Sequence, residues 1–463
     1  MPRTDSARGE VLRHLPSVDR LLQHALLQPL PRALLLRQAR LWLDQVRARI
    51  DRGELDGASV AAMFGGDAGA RALLQHCALA AVPRHRRVFN ATGIVLHTGI
   101  GRAPLCAEAA AALQQAAGYA VVEVDPRTGE RDERELGIGA LLAELTGAGG
   151  ALAVNNNAAA TTLALASLCA GREVIVSRGE QVEIGGGFRV PDVMKRAGCL
   201  MVEVGATNKT HLRDYEQAVT PATAALLKVH PSNFRIEGFA GVPALGELAQ
   251  LSKQKGLLLL DDLGSGLLWD EPIAGLEHEP RVRQSLAAGA DVVCFSGDKL
   301  LGGPQCGILI GRRELVARAR AHPLYRALRC DKLTLAALEA TLFVYRDGEP
   351  LRAIPTLRML AAGQDELRAR SDALLALLPG LGGRAVASES FAGSGANPAR
   401  ALPSCAVALP GGDPVCDRLR RAEPVAVFAR VADGSVLLDA RTLLCEDIDA
   451  VAQAVRSALR AAT

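Results

Sequence analysis

Between about residues 136 and 345, short runs of continuous apolar residues alternate with stretches of three-and-four helical spacing. The runs fall at 151–154, 173–177, 200–204, 224–229, 257–260, 292–295 and 307–310. They are too short to be helices and lack the polar alternation of a one-sided sheet, so each predicts a strand covered on both faces. Helical stretches such as 137–146 predict the crossovers. The expected fold class is α/β: a doubly wound, mostly parallel sheet that gathers ligands at the carboxyl ends of its strands.

The two ends of the chain follow other patterns. In residues 1–60, Leu12, Leu15, Val18, Leu21, Leu22 and Leu26, then Leu34, Leu35, Ala39, Trp42, Leu43, Val46 and Ile50, predict a helical domain interrupted at Pro29 and Pro31. Residues 61–88 read as an Ala/Gly-rich helical linker and 89–345 as the large domain. Residues 346–463 read as a smaller α/β domain. It is expected to hold a long helix to Leu378, a Gly/Ser/Pro-rich stretch at 388–403, strands at 406–409, 425–431 and 435–439, and a closing helix at 446–461.

Composition narrows the function. Aromatic residues make up 3% of the 463, which disfavours stacking on many bases, and a net charge of +3 confines any nucleic-acid surface to one region. That region is the N-terminus: within residues 3–52, ten arginines stand against five acids. A solvated face of a helical cap and a contact surface for a structured RNA are both open readings. The ten cysteines show no zinc-finger spacing, no metal site is expected, and reduced thiols predict a cytoplasmic location. No apolar stretch predicts a signal peptide or a membrane span.

Candidate chemistry centres on Val292 to Gly307, an apolar strand, a turn carrying Lys299, the pair Gly302 and Gly303, and a second apolar strand. Desolvation at a strand end lowers an amine's pKa, which suits a Schiff-base lysine for pyridoxal phosphate; a surface lysine is the plainer alternative. Ser296 stands three residues before it, placed to bond a phosphate, and the glycines permit close backbone approach. Asp261 and Asp262 end the strand 257–260, and one carboxylate there would keep a pyridine nitrogen protonated. Alternation lets one of the two point inward, and Asp262 is favoured. Asn155, Asn156, Asn157 and Ala158 open a helix, either as a phosphate cradle or as ordinary N-capping. Arg102, on a glycine-flexed loop, and Arg326 with Arg329, three apart on one helix face, are candidate anion ligands. Salt bridges within the subunit are the alternative for the last two.

Several long stretches in order give the chain a family resemblance. They are Leu15-Pro16-Ser17-Val18-Asp19, Asn90-Ala91-Thr92-Gly93, Val154 to Ala158, Ser177 to Arg189, His230-Pro231-Ser232-Asn233-Phe234, Asp262 to Gly266 and Ser296 to Gln305. In these the chain resembles the bacterial selenocysteine synthases, the pyridoxal-phosphate-dependent L-seryl-tRNA(Sec) selenium transferases of aspartate-aminotransferase-like fold. The resemblance implies that Lys299 holds the cofactor, with Asp262 or Asp261, Asn156, Asn157, Ala158, Ser232 and Ser296 around it. It implies Lys299 as general base and Asp298 as a donor to the leaving hydroxyl. It further implies Arg102, Arg326 and Arg329 near the anionic selenium donor, selenophosphate. The N-terminal domain would bind seryl-tRNA(Sec), the product would form through a dehydroalanyl intermediate, and the subunits would assemble as homo-oligomeric rings of dimers, such as a decamer. A pyridoxal-phosphate lyase of a free amino acid or amino-sugar phosphate is the rival. With an esterified substrate no arginine need clamp a free carboxylate, so Arg430 and Arg441 are expected to matter less for activity than Arg326.

Overall fold

The computed structural model describes residues 5–184, 187–234, 236, 238–393 and 401–460. They form two compact units, Met1–Arg87 and Val88–Thr463.

The first unit is helical. Its longest element, Arg32–Asp51, starts directly after Pro31 and buries Leu35, Ala39, Trp42, Leu43, Val46 and Ile50, the stripe that the spacing predicts. Trp42 packs on Phe64 with ring centroids 4.7 Å apart. The helix Ala68–Ala81, in the stretch read as a linker, adds Leu73 and Cys77 to this same core. Arg8, Arg47, Arg49, Arg52 and Arg71 pair with acids of the unit. Arg13, Arg20, Arg32, Arg37 and Arg40 are exposed and have no ion-pair partner among the described residues.

The second unit is built on a seven-stranded sheet in the order 150–154, 307–311, 292–296, 258–264, 223–229, 173–177 and 200–204. The strand Gly307–Gly311 runs antiparallel to both neighbours and the remaining pairs are parallel. Val154, Val176, Leu227, Leu260 and Cys294 face one apolar layer, while Ala153, Ile175, Leu226, Leu259 and Val293 face the other. The continuous apolar runs thus reflect cover on both faces, as expected for a doubly wound sheet. Among the described residues, no helix is long and apolar enough to cross a membrane.

A second sheet, of five strands, takes the order 430–432, 435–439, 401–410, 384–393 and 94–96. Its last strand comes from near the start of the unit, and Val88–Asn90 likewise pairs with Ala426–Phe428. Two features differ from the sequence pattern. The expected long helix ending at Leu378 is broken into Pro350–Ala353, Pro355–Ala361 and Gln364–Ala376, because each proline opens a new helix and Gly363 leaves the helical region. The Gly/Ser/Pro-rich stretch is largely strand, with 394–400 outside the described residues. Ser388 and Ser390 within it, and Ser404 just after it, are donors whose hydroxyls bond the fully buried Asp439 carboxylate at 2.7–2.8 Å.

Candidate active site

The carboxyl ends of strands 223–229, 258–264 and 292–296, with the helix start after strand 150–154, enclose a cavity of about 330 Å³. Lys299 enters it from the turn after Ser296 and is 6% exposed. Burial pushes its pKa down; Asp262 pushes it back up and Arg102 lowers it again. The amine is therefore biased toward its neutral, nucleophilic form. Gly264, at φ +70°, lies against it: a Cβ built there would stand 3.8 Å from the Lys299 Nζ and 3.7 Å from the Ser232 Oγ. The Ser232 hydroxyl is buried and has no protein partner.

Asp262 lines the cavity and Asp261 does not. Asp261 and Leu263 line a second cavity, because successive side chains of a strand leave by opposite faces. Asp261 is thereby removed from the candidate cofactor contacts. Asp262 is fixed by the Asn157 Nδ2 at 2.8 Å and the Thr161 hydroxyl at 3.0 Å. Burial raises its pKa, and these two bonds oppose that rise.

The helix Asn157–Cys169 begins at the cavity edge. Asn156 is its N-cap, with Oδ1 accepting from the Ala159 N–H at 2.9 Å. This leaves the N–H groups of Asn157 and Ala158 without intrahelical acceptors, in the polarity that favours an anion. Asn156 thus caps the helix, and the N–H groups beside it are the ones that a phosphate cradle would use. Gly307 makes the approach possible, since a Cβ there would fall 2.0 Å from the Asn156 carbonyl oxygen. Ser296 is buried in the same wall. Gly302 differs from its expected use: a Cβ would meet the Ile354 side chain at 2.2 Å, so its small size serves packing.

Arg102 lines the cavity and bonds Asp298 through Nη1 and Oδ2 at 2.6 Å. Its φ of 60° is a left-handed value that costs a residue with a Cβ, and it follows Gly101 at φ 102°. The pair makes Asp298 an anchor for Arg102 as well.

Arg326 and Arg329 do not line this cavity. Arg326 is exposed, with no ion-pair partner among the described residues. Arg329 reaches the Glu123 Oε1 at 3.2 Å, on a carboxylate that also binds Arg131 and Arg134. The within-subunit salt bridge is thus what Arg329 makes in the single chain.

Sequence reasoning passed over His230, Thr161 and Glu279. His230 directly follows strand 223–229, lines the cavity, and has a buried Nδ1 without a partner. Burial, then Lys228 and Lys299, push its pKa down to about 4, so its imidazole is neutral at ordinary pH. Its place directly after an apolar run was the available signal. As a set, an amine, a buried carboxylate, an unpartnered hydroxyl and free N–H groups at a helix start fit a planar aldehyde that carries a ring nitrogen and a phosphate.

The family described as L-seryl-tRNA selenium transferase matches residues 88–444. An L-seryl-tRNA(Sec) selenium transferase of Solidesulfovibrio magneticus is 48% identical, over 98% of this chain and 99% of its own. One from Moorella thermoacetica is 47% identical, over 98% of both chains. Among solved structures, a D-glucosaminate-6-phosphate ammonia-lyase covers 82% of this chain and 97% of its own with a TM-score of 0.57 and 23% identity, a likeness of fold.

Proposed function

The chain belongs to the L-seryl-tRNA selenium transferase family, and from that premise we propose that it converts seryl-tRNA(Sec) to selenocysteinyl-tRNA(Sec) with pyridoxal phosphate and selenophosphate. The observation that carries the site assignment is the meeting of Lys299 Nζ and the unpartnered Ser232 Oγ around Gly264, beside the anchored Asp262. Pyridoxal phosphate, when bound, supplies an aldehyde for an amine and a protonated ring that draws electrons from the substrate α-carbon. Lys299 removes the α-proton at Nζ, a role suited to an amine that burial disposes to the neutral form. Asp262 would hold the proton of the ring nitrogen, while Asn157 and Thr161 keep the carboxylate oriented. Asn157 and Ala158 N–H groups, with Ser232 and Ser296, would hold the phosphate. His230 would offer the cofactor a neutral imidazole.

Arg102 meets the anionic selenium donor, and Asp298 aims it. Arg326 and Arg329 serve the same anion in a neighbouring subunit's site, within a homo-oligomer built from dimers. The unpaired arginines of the first unit face tRNA phosphates, and the enzyme works in the cytoplasm. Incubating the protein with seryl-tRNA(Sec) and selenophosphate and weighing the esterified amino acid tests the reading. A selenocysteinyl ester is expected. An unchanged seryl ester, together with turnover of a free amino acid or amino-sugar phosphate, would instead identify a lyase.

A further inference from the structure

The cavity that Asp261 lines is the larger of the two, about 950 Å³, and lies on the face of strand 258–264 opposite Asp262. Its titratable wall is made by Glu180, Lys228, His230, Asp261, His278 and Glu279. Glu180 and Lys228 neutralise each other in a nearly buried ion pair. The neutral His230 imidazole adds no charge. Asp261 and Glu279 are 4% and 5% exposed and make no ion pair among the described residues. When they ionise, the chamber is left with an excess of negative charge.

Glu279 is the group that points to a ligand. It comes from the connection before helix Val282–Ala287, and its Oε1 is buried without a hydrogen-bond partner. An unmade hydrogen bond at a buried acceptor costs about 1–3 kcal/mol, which a donor from outside the chain would recover. Burial pushes both the Glu279 and the Asp261 carboxyls up to about 7, and a positive charge in the same chamber would offset that cost of ionising.

The remainder of the wall selects the kind of cation. Phe234, Val242, Leu245, Leu263 and Pro280 give the chamber an apolar side. Among the described residues no group of His, Cys, Asp and Glu could hold a metal ion, and the volume suits an organic molecule better than a bare ion. A phosphate or carboxylate ligand would meet charge of its own sign. The best match to a carboxylate is a planar cation that donates two parallel N–H groups.

We propose that this cavity is a binding site for an organic cation of the amidinium or guanidinium class, whose N–H groups donate to the Glu279 carboxylate while an apolar body lies against Phe234 and Leu245. The site is separate from the cavity of Lys299, with which it shares a wall at Val229 and His230, and it does not depend on the role given to that lysine.

Isothermal titration of the full-length protein with benzamidine tests the inference. Benzamidine should bind saturably with a dissociation constant of about 1 mM or tighter, the scale of a small well-seated fragment. Benzamide, uncharged on the same ring, and benzoate, of opposite charge, should bind at least about tenfold more weakly. Glu279→Gln should weaken benzamidine binding by about tenfold or more, as expected for losing a hydrogen bond to a charged group. Phe234→Ala, at an exposed position that the core does not need, should weaken it severalfold. No saturable binding to the wild type, or equal affinity for benzamide, overturns the inference. An unchanged affinity in folded Glu279→Gln does the same. Should that variant not fold, an unchanged affinity in Phe234→Ala decides against it.

Discussion

Arg102 and Asp298 are joined by one ion pair, Nη1 to Oδ2 at 2.6 Å, across 196 residues of sequence. Asp298 is nearly buried while Arg102 is about one-third exposed and sits at a left-handed φ of 60°. The pair offsets local backbone strain and points the guanidinium into the cavity.

Removing one partner strands the other. Asp298→Ala is expected to lower the unfolding free energy by about 1–3 kcal/mol, and Arg102→Ala with Asp298→Ala by less than the sum of the singles. Denaturant midpoints of the four proteins measure this coupling. Strict additivity would mean that the two side chains stand independent in solution.

Asp262→Asn preserves the shape of the side chain and removes its charge. Cofactor retention is expected, with turnover of seryl-tRNA(Sec) reduced about 10²–10⁴-fold, the usual scale for losing a proton-holding group. Single-turnover measurement on cofactor-saturated protein is the check. Turnover near the wild-type rate would remove Asp262 from the ring nitrogen.

Asp261 carries a pH dependence in stability. Burial raises its carboxyl from 3.8 to about 7. Between those values the folded chain keeps a proton that the unfolded chain has lost, so this contribution is full below the lower value and fades as pH rises through about 7. Asp261→Asn should therefore flatten the decline, with a gain over wild type at pH 8 of up to about 4 kcal/mol. Urea midpoints of both proteins at pH 5 and pH 8 read the difference. A gain that is larger at pH 5 would contradict the sign.

The unpaired arginines of the first unit predict a salt signature. Replacing Arg37 and Arg40 by Ala should weaken seryl-tRNA(Sec) binding and lower the slope of log affinity against log salt by about one per lost phosphate contact. Visible absorbance of the bound cofactor should be unchanged. A slope equal to that of the wild type would leave these arginines as a solvated face.

Arg441 is a structural tether. It is 4% exposed, and its guanidinium donates to the carbonyls of Met359, Leu360, Ala362 and Pro403. Arg430 is spent on Ser388, Glu389 and Asp439. Arg441→Ala should cost about 3 kcal/mol of stability, yet the folded fraction should retain its KM for seryl-tRNA(Sec), whereas Arg326→Ala should impair catalysis with little change in melting temperature. A higher KM in folded Arg441→Ala would place it at the substrate.

The sheet was legible because its strands are apolar throughout: the predicted 173–177, 200–204 and 292–295 fall within a residue of the observed ends. That only one of Asp261 and Asp262 points into the cavity was legible too, since alternation forces them apart, but alternation does not say which. Pairings across long separations were not. Nothing in the run around Arg329 announces Glu123, and nothing near Arg102 announces Asp298, because a charged pair leaves no periodicity. Serines that end in the interior, such as Ser390 and Ser404, read as loop residues until the Asp439 carboxylate supplies their partner. Glu279 escaped notice for the opposite reason: an acid two residues from Glu277, in a connection bounded by Pro272 and Pro280, looks solvated, and only its burial shows that it is not.

The strand Ile94–Leu96 completes a sheet whose other members begin at Arg384, nearly 300 residues later. During synthesis this segment emerges early and must wait, unmatched along one side, until most of the polypeptide has left the ribosome. The turn that bears Arg102 follows it directly, so the mouth of the site takes its final shape only when the last strands arrive. A chain ended before Arg384 thus lacks the strand that Ile94–Leu96 pairs with, beside the turn that bears Arg102.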